Sequence, residues 1–250
     1  MRPSLLKQFL LFAGARQLRN SLFFLDYLRD WARFRAAGTR EDLPMGPKFP
    51  ILGEKTAQTG FDRHYVFHPA WAARAVREIA PKRHVDVGSK VDFSALLSAF
   101  IPVSFYDYRP APMGLDNLEC NAADLNALPF EDNSLESLSC MHVVEHVGLG
   151  RYGDAIDPMG DLKAIEQLKR VVAPGGSLLF VVPIGKPQVQ YNAHRIYGYQ
   201  QILGYFEGFE LRQFALIPDD PAAGDLLVGA SAELCDQQEY GCGCFWWVKS

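Results

Sequence analysis

The sequence has no long hydrophobic run. Near the N-terminus the longest is Phe9–Ala15, far shorter than the roughly 20 apolar residues that a transmembrane helix needs. Basic residues precede this run and small residues end it, as in a secretory signal peptide, but its apolar core is too small for that interpretation. The apolar spacing instead predicts two short amphipathic helices, carrying Leu5, Phe9 and Phe12 and then Leu22, Leu25 and Leu28.

Paired cysteines are also lacking. The chain has five cysteines, an odd and scattered set. Cys242-Gly243-Cys244 lacks the paired spacing of a zinc site, and a free thiol inside a strand, such as that of Cys120 or Cys140, behaves as a small hydrophobic group. This pattern is typical of a reducing compartment, so we expect a cytoplasmic protein.

Most of the chain has no excess of positive charge. Residues 1–40 carry eight cations against Asp26 and Asp30, a balance of +6, so the net charge of −4 leaves −10 on the other residues. Nucleic-acid binding needs a basic surface, and we therefore expect no nucleic-acid partner. The basic residues 1–40 could make a peripheral contact with an anionic membrane surface, or form a helical cap packed on the domain.

Glycine, proline and threonine are concentrated in residues 38–60, which predicts a linker or lid-like loop. We therefore divide the chain into a basic helical extension with its linker, residues 1–45, and a larger domain, residues 46–250. The larger domain begins with a helix that has Pro69 in its first turn.

After this helix, short apolar strands alternate with helices to about Pro183. This alternation predicts an α/β domain with a parallel, doubly wound sheet and right-handed crossovers. Among its elements is a second helix at Phe93–Phe100. Beyond residue 200 the pattern changes, and two strands, Phe209–Ile217 and Cys244–Lys249, are expected with a long loop and no helix between them.

Two predicted strands end at residues suited to a nucleotide. Gly88 ends the first strand and would let a ligand approach the backbone closely. Asp107 ends the second strand, where a carboxylate can accept hydrogen bonds from both ribose hydroxyls. An NAD-binding sheet would carry Gly-x-Gly-x-x-Gly after its first strand, and that motif is absent here, so a dehydrogenase is not expected.

The run from Asp107 to Gly176 resembles the second half of the cofactor-binding domain of class I S-adenosylmethionine (SAM) dependent methyltransferases. The resemblance lies in LECNAAD at Leu118–Asp124, LPFEDNSL at Leu128–Leu135, HVVEH at His142–His146 and the turn Pro174–Gly176. It implies SAM as the cofactor. It also implies a Rossmann-like fold with a mostly parallel, seven-stranded sheet whose last strand is antiparallel, to which the N-terminal helical extension is added.

The resemblance further implies which residues contact the cofactor. Asp86 would engage the amino end of the methionine moiety directly or through water, and Asp124 would receive the adenine amino group. The full implied set is Asp86, Gly88, Ser89, Asp107, Asp124, Leu125 and Met141. The loop Gly88–Asp92 departs from the family's Gly-x-Gly-x-Gly pattern. The alternative interpretation is therefore a protein that keeps the fold and serves as a binding or scaffold subunit without catalysis.

Methyl transfer requires aligned reactants and removal of the acceptor's proton. His142, Glu145 and His146 stand at i, i+3 and i+4 and would share one face of a helical turn, and His194 could converge on them. Three interpretations stay open. His146 or His194 is a general base with Glu145 beside it, or the four residues hold a divalent metal, which is not favoured, or they line the pocket without a catalytic role.

A glycine-rich loop, Gly148–Pro158, would lie over the acceptor pocket. Its Arg151, Asp154 and Asp157, together with Arg195, could bind sugar hydroxyls or a phosphate. With VDVGS at 85–89, VPIGK at 182–186 and NAHR at 192–195, this loop resembles a little-studied methyltransferase-like family associated with surface-polysaccharide biosynthesis. That resemblance implies O-methylation of a saccharide or another polar small molecule. A membrane-surface adaptor that depends on the basic N-terminus is a further alternative.

Overall fold

The chain forms two compact units, Met1–Gly60 and Phe61–Ser250. The computed structural model describes residues 5–38 and 40–250, with side chains described at residue 14 and, apart from residue 39, from residue 17 onward. The sequence places the domain boundary after residue 45, whereas the units divide at Gly60. The boundary lies later in the chain because Lys55 forms ion pairs with Asp26 and Asp30 and so joins the linker to the first unit.

The first unit contains one continuous helix, α1 (Leu5–Ala36). The prediction of two short helices is wrong, because residues 15–20 are mostly good helix formers without a proline to interrupt them. The side chains of the predicted amphipathic face at Leu5, Phe9 and Phe12 lie outside the described residues, and its membrane contact stays a prediction. Within the described part, no helix is both long and apolar enough to cross a membrane.

The strands of the second unit are β1 (His84–Val87), β2 (Val103–Asp107), β3 (Leu118–Ala122), β4 (Leu135–Met141), β5 (Val172–Ile184), β6 (Gln188–Gln190), β7 (His194–Ile196), β8 (Phe209–Ile217), β9 (Leu227–Val228) and β10 (Gly241–Lys249). Eight of them form one sheet with the strand order β3-β2-β1-β4-β5-β10-β8-β9, and β6 and β7 form a separate antiparallel hairpin. Strands β1 to β5 pair in parallel, and β10 is antiparallel to both β5 and β8. The two-residue β9 extends the expected seven strands to eight.

Helices cover both faces of this sheet. They are α2 (Arg63–Ile79), α3 (Val91–Leu97), α4 (Gly160–Val171), α5 (Tyr199–Tyr205) and α6 (Ala232–Asp236). Alternate residues of β5 face opposite sides, as the pleat of a strand requires. Phe180 belongs to the core on the side of α4, with Leu168, and Val181 to the core on the side of α2, with Trp71. The domain is thus a three-layer Rossmann-like fold.

Four details differ from the expectations. Pro69 lies inside α2 because the Asp62 carboxylate accepts the Tyr65 N–H and starts the helix earlier. The expected turn Pro174–Gly176 is an irregularity within β5, which runs through it. The segment between β8 and β10 was expected to lack a helix, but it contains α6, where Ser231 accepts the Leu234 N–H as a cap. The expected helix Phe93–Phe100 is shorter and begins earlier, as α3.

A polar network lies inside the core below the carboxyl end of β1. Asp86, with none of its surface exposed, accepts hydrogen bonds from the hydroxyls of Ser89 (2.5 Å), Ser94 (2.6 Å) and Ser139 (2.5 Å). His84, equally buried, contacts the Ser139 hydroxyl through Nε2 at 2.9 Å. Burial raises the pKa of Asp86 to about 6, against the three hydroxyls that lower it, and burial lowers the pKa of His84 to about 3.

These two buried groups give opposite dependences of stability on pH, and single substitutions should separate them. Between about pH 4 and pH 6, Asp86 holds a proton in the folded state that it loses on unfolding, so its contribution falls as pH rises. His84 takes up a proton on unfolding over the same range, so its contribution rises with pH. Asp86→Asn should therefore make the slope of stability against pH more positive than in the wild type by about 1.4 kcal/mol per pH unit. The separate variant His84→Gln should make the slope more negative than in the wild type by about the same amount.

The measurement is the free energy of unfolding in urea at several pH values for wild type and both variants. Each variant is compared with wild type at the same pH, so the other titrating groups cancel. If the slope of stability against pH changes in the same direction in both variants, the assignment of a protonated Asp86 and an unprotonated His84 in the folded state is wrong.

Candidate functional site

The carboxyl ends of β1 to β4 meet at one edge of the sheet and enclose a cavity of about 290 Å³. In an open parallel sheet this edge is where ligands bind. Several of the residues predicted for the site come together at this cavity: Gly88, Asp107, Asp124, Leu125, His142, His146, Asp154 and Asp157. Sequence reasoning did not find other residues of its wall, among them Arg109, Asn126, Val143 and Tyr152.

Gly88 turns the chain from β1 into the cavity edge. Its φ is +69°, in the left-handed region that favours glycine. A Cβ there would lie 2.8 Å from Cγ1 of Val143, so a side chain could not be accommodated without movement. The glycine is thus required by the turn and by its packing against the segment after β4.

Two carboxylates follow neighbouring strands on the cavity wall. Asp107 accepts the Arg109 N–H at 2.7 Å and Asp124 accepts the Asn126 N–H at 2.8 Å, in each case through Oδ1. The second oxygen of each carboxylate is not used in these bonds. Asn126 adds a buried side-chain oxygen that has no hydrogen-bond partner among the described residues. The wall therefore offers several acceptors to hydroxyl and amino groups of a ligand.

Three residues of the predicted cofactor set lie below the cavity. Asp86 is enclosed by serine hydroxyls and has no exposed surface, so of its two predicted modes of contact the direct one is not available in this structure. Ser89, only 3% exposed, donates to Asp86 and accepts the N–H of Met141 at 3.1 Å. Met141 is 1% exposed in the core. These three residues support the edge of the sheet from inside.

The HVVEH segment brings a histidine and a buried carboxylate together. Val144–His146 forms a single 3-10 turn, not a longer helix, and His142 precedes it with a φ of +56°. His142 Nδ1 donates to Oε1 of Glu145 at 2.8 Å, and both side chains are almost completely buried. The second carboxylate oxygen of Glu145 is buried and has no partner among the described residues.

His146 presents a free ring nitrogen at the cavity. Its Nδ1 donates to the carbonyl of Ala193 at 2.7 Å, which leaves Nε2 as the acceptor, 3.9 Å from Oε1 of Glu145. Burial lowers the pKa of His146, although Glu145 opposes the shift. The imidazole is therefore neutral near pH 7, in the form that can accept a proton.

His194 lies near His146 but outside the cavity wall. The two ring centroids are 6.5 Å apart, and the His194 ring packs against Tyr240 at 4.6 Å. Its buried Nε2 has no hydrogen-bond partner among the described residues. Burial lowers the pKa of His194 as well.

The loop Gly148–Pro158 is held by side chains that were predicted to bind substrate. The Asp154 carboxylate accepts the N–H groups of Gly148 (2.7 Å) and Tyr152 (3.2 Å), and Asp157 pairs with Lys163 at 2.7 Å. Both aspartates border the cavity, but these bonds occupy much of their accepting capacity. Their first role is to fix the loop.

Arg195 was also predicted to bind substrate, and in the structure it holds the chain together instead. The residue is 6% exposed, and its guanidinium donates to the carbonyl of Val147 at 2.7 Å and lies 3.5 Å from the Asp161 carboxylate. It joins β7 to the segment after β4 and is not available to a substrate. Arg151, by contrast, is exposed, where it donates to the Ala193 carbonyl at 2.9 Å.

A second group of side chains behind His142 was not predicted. His64 and His68 of α2 and Cys242 of β10 surround the His142 ring. The i, i+4 spacing of the two histidines on α2 was a signal that sequence reasoning could have used. No local pattern connects them to Cys242.

Known proteins resemble this chain in part of its sequence and in its fold. Residues 130–219 match a family model described as Caenorhabditis protein of unknown function, DUF268. No curated protein matches the chain.

Two solved structures share the fold with a TM-score of 0.50. One is a chain described as a methyltransferase in its complex with the Haloferax volcanii Trm112 methyltransferase activator, with 18% identity over 75% of this chain and 90% of that chain. The other is described as a sarcosine dimethylglycine methyltransferase from Galdieria sulphuraria, with 14% identity over 73% of this chain and 85% of that chain. At this identity the similarity shows only the fold, a Rossmann-like fold that this chain shares with both structures, and it does not bear on polysaccharide biosynthesis.

The loop geometry predicts that two glycines respond differently to substitution. Gly148 and Gly153 both have a positive φ, +80° and +85°. A Cβ at Gly148 would lie 2.0 Å from the Asp157 carbonyl oxygen, whereas a Cβ at Gly153 meets nothing within 4 Å. Gly153→Ala should cost only the conformational strain, about 1–2 kcal/mol. Gly148→Ala should cost clearly more and displace the loop.

The free energy of unfolding of the two variants gives the comparison, and Gly153→Ala is the matched control for Gly148→Ala. Equal losses of stability would show that the contact between Gly148 and Asp157 does not hold the loop.

Proposed function

We propose that the protein is a SAM-dependent methyltransferase that methylates a hydroxyl group of a saccharide or another polar small molecule. The observation that carries the proposal is the arrangement of the cavity. The cavity is lined by carboxylates after β2 and β3 and by His146, whose Nε2 makes no hydrogen bond among the described residues. The methyltransferase fold of the two structural relatives supports the same kind of activity.

The residues present fit the adenosine part of SAM. Asp107 would accept hydrogen bonds from the ribose hydroxyls, and Asp124 or the unpartnered oxygen of Asn126 would accept one from the adenine amino group. Leu125, 6% exposed, would supply apolar contact for the base. The methionine end has fewer partners, since Asp86 and Ser89 lie in the buried network.

When bound, SAM supplies a methyl group on a sulfonium, which the acceptor oxygen takes while the carbon–sulfur bond breaks to give S-adenosylhomocysteine. His146 would receive the hydroxyl proton on Nε2 as the acceptor oxygen attacks. Its Nδ1 stays bonded to the Ala193 carbonyl and so fixes the orientation of the ring. Glu145, 3.9 Å from Nε2, would stabilise the imidazolium that forms.

The mouth of the cavity suits a polar acceptor. Tyr152 is partly exposed there, with the guanidinium of Arg109 at 4.4 Å and that of Arg151 at 5.1 Å from its ring centroid. Guanidinium groups donate to hydroxyl, carboxylate or phosphate oxygens of a ligand. These residues support the choice of a saccharide or another oxygen-rich acceptor. The cytoplasmic location expected from the cysteine content and peripheral membrane contact through residues 1–40 are separate expectations.

A second candidate function follows from the burial of Asp86 and Ser89. If the cavity cannot hold the methionine end, the protein would be a binding or scaffold subunit with a methyltransferase fold. The two functions differ in whether SAM binds, which a titration decides.

Isothermal titration should show binding of SAM and S-adenosylhomocysteine by the wild type. Asp107→Ala should weaken both about 10- to 100-fold, because it removes hydrogen bonds between a charged acceptor and the ribose. Asp116→Ala, at an exposed turn, is the control and should bind as the wild type does. If neither ligand binds the wild type, the enzyme proposal fails and the scaffold function replaces it.

His146→Gln should retain SAM binding and lower kcat by roughly 10²- to 10⁴-fold, the range that general base catalysis contributes. The measurement is release of S-adenosylhomocysteine with a panel of saccharide acceptors. His194→Gln is measured in parallel, because His194 is the other candidate base. A large loss of kcat in His194→Gln with normal activity in His146→Gln would move the role of the base to His194.

A further inference from the structure

Three potential metal ligands meet behind the cavity wall. His64 comes from the first turn of α2, His142 follows β4, and Cys242 lies in β10. One ligand atom of each residue lies within 4.8 Å of the others. His142 and Cys242 are buried, and His64 is half-buried. Three separate elements of the fold thus converge on one point.

The hydrogen bonds of His142 leave the correct nitrogen free for a metal. Its Nδ1 donates to Oε1 of Glu145, so Nε2 carries the lone pair and faces Cys242 Sγ at 3.4 Å. A histidine that binds a metal usually donates its other N–H to a carboxylate in this way. Tetrahedral zinc with ordinary Zn–N and Zn–S bonds would separate these two atoms by about 3.6 Å.

His68, beside these three residues, also has a hydrogen-bonded Nδ1 and a free Nε2. Its Nδ1 donates to the backbone carbonyl of His64 at 2.6 Å, and its ring centroid lies 5.1 Å from that of His142. The side chain is 0% exposed, and its Nε2 has no partner among the described residues. Buried polar atoms without a partner are rare, and an absent ion is one explanation for them.

We propose that His64, His142 and Cys242 bind a zinc ion. Imidazole and thiolate donors select zinc and similar transition metals, whereas calcium and magnesium prefer oxygen ligands. Cys242 loses its thiol proton to solvent when the metal binds. Three protein ligands leave a fourth tetrahedral position open, with the free Nε2 of His68 nearby.

This site differs from the metal site that the sequence suggested. Of His142, Glu145, His146 and His194, it uses only His142. Glu145 orients that ligand instead of binding the ion, and His146 has its Nδ1 bonded to the Ala193 carbonyl. Because His142 also lines the cavity, the ion would fix one wall of the proposed methyltransferase site. The site does not depend on that function.

The test is a titration of the full-length, metal-free protein with Co²⁺, followed by displacement with Zn²⁺. The wild type should bind one equivalent of Co²⁺ with a thiolate-to-cobalt charge-transfer band and the strong visible bands of four-coordinate cobalt. Cys242→Ser should lose the charge-transfer band. Glu145→Gln removes the carboxylate that orients His142 and should lower the affinity for Co²⁺ roughly 10- to 100-fold. His64→Gln removes a ligand itself and should lower the affinity for Co²⁺ by at least as much.

Cys235→Ser is the matched control, since Cys235 is also fully buried but lies in α6, in the core on the opposite face of the sheet. It should keep the wild-type spectrum and affinity. Circular dichroism shows whether Cys242→Ser folds. If it does not fold, His64→Gln, a change at a half-buried position, decides whether the metal site exists. Absence of the thiolate band in the wild type, or full binding by His64→Gln, would overturn the proposal and leave an ordinary S–H···N hydrogen bond.

Titration of the metal-free wild type with SAM separates the two proposals. SAM binding without a cobalt signal would reject the zinc site alone. A cobalt signal without SAM binding would reject the methyltransferase function alone.

Discussion

The hydrogen bond between His142 and Glu145 connects the two halves of the candidate site. Both side chains are almost completely buried, so a carboxylate without this partner would carry a desolvation penalty of several kcal/mol. The bond orients His142 between the cavity and the cluster with His64 and Cys242, and it places Glu145 within 3.9 Å of the Nε2 of His146. The positive φ of His142 is part of the same arrangement, because it turns the chain sharply at the end of β4.

Partly buried hydrogen bonds hold the loop that follows. Arg195 donates to the carbonyls of Val147 and Pro158, and Asp154 accepts N–H groups at the start of the loop. Two residues with the character of substrate ligands are therefore used for structure. Arg109 and Tyr152 line the cavity and Arg151 lies beside the Tyr152 ring, so these side chains can meet a ligand without breaking the bonds that hold the loop.

A strand or helix was predictable wherever its own residues carry the pattern of that structure. The strand Phe209–Ile217 has the predicted bounds, since it is a compact run of strand-forming residues between the turn-forming residues Gly208 and Pro218. Errors arose where a capping residue or a neighbouring strand overrides the local signal. Asp62 starts α2 before Pro69, and pairing with β4 at Val172 and again from Ser177 keeps Gly175 and Gly176 inside β5.

The sequence by itself determined the β/α alternation, and with it the positions of Gly88, Asp107 and Asp124 at the ends of successive strands. Parallel strands bring their carboxyl ends to one edge, so these residues needed no further information to reach the cavity. Only the tertiary structure decided that Asp86 is enclosed by serines, that Arg195 binds carbonyls, and that His142 meets Cys242. His142 and Cys242 are 100 residues apart in the chain. Such contacts arise from the packing of distant elements, and no local periodicity encodes them.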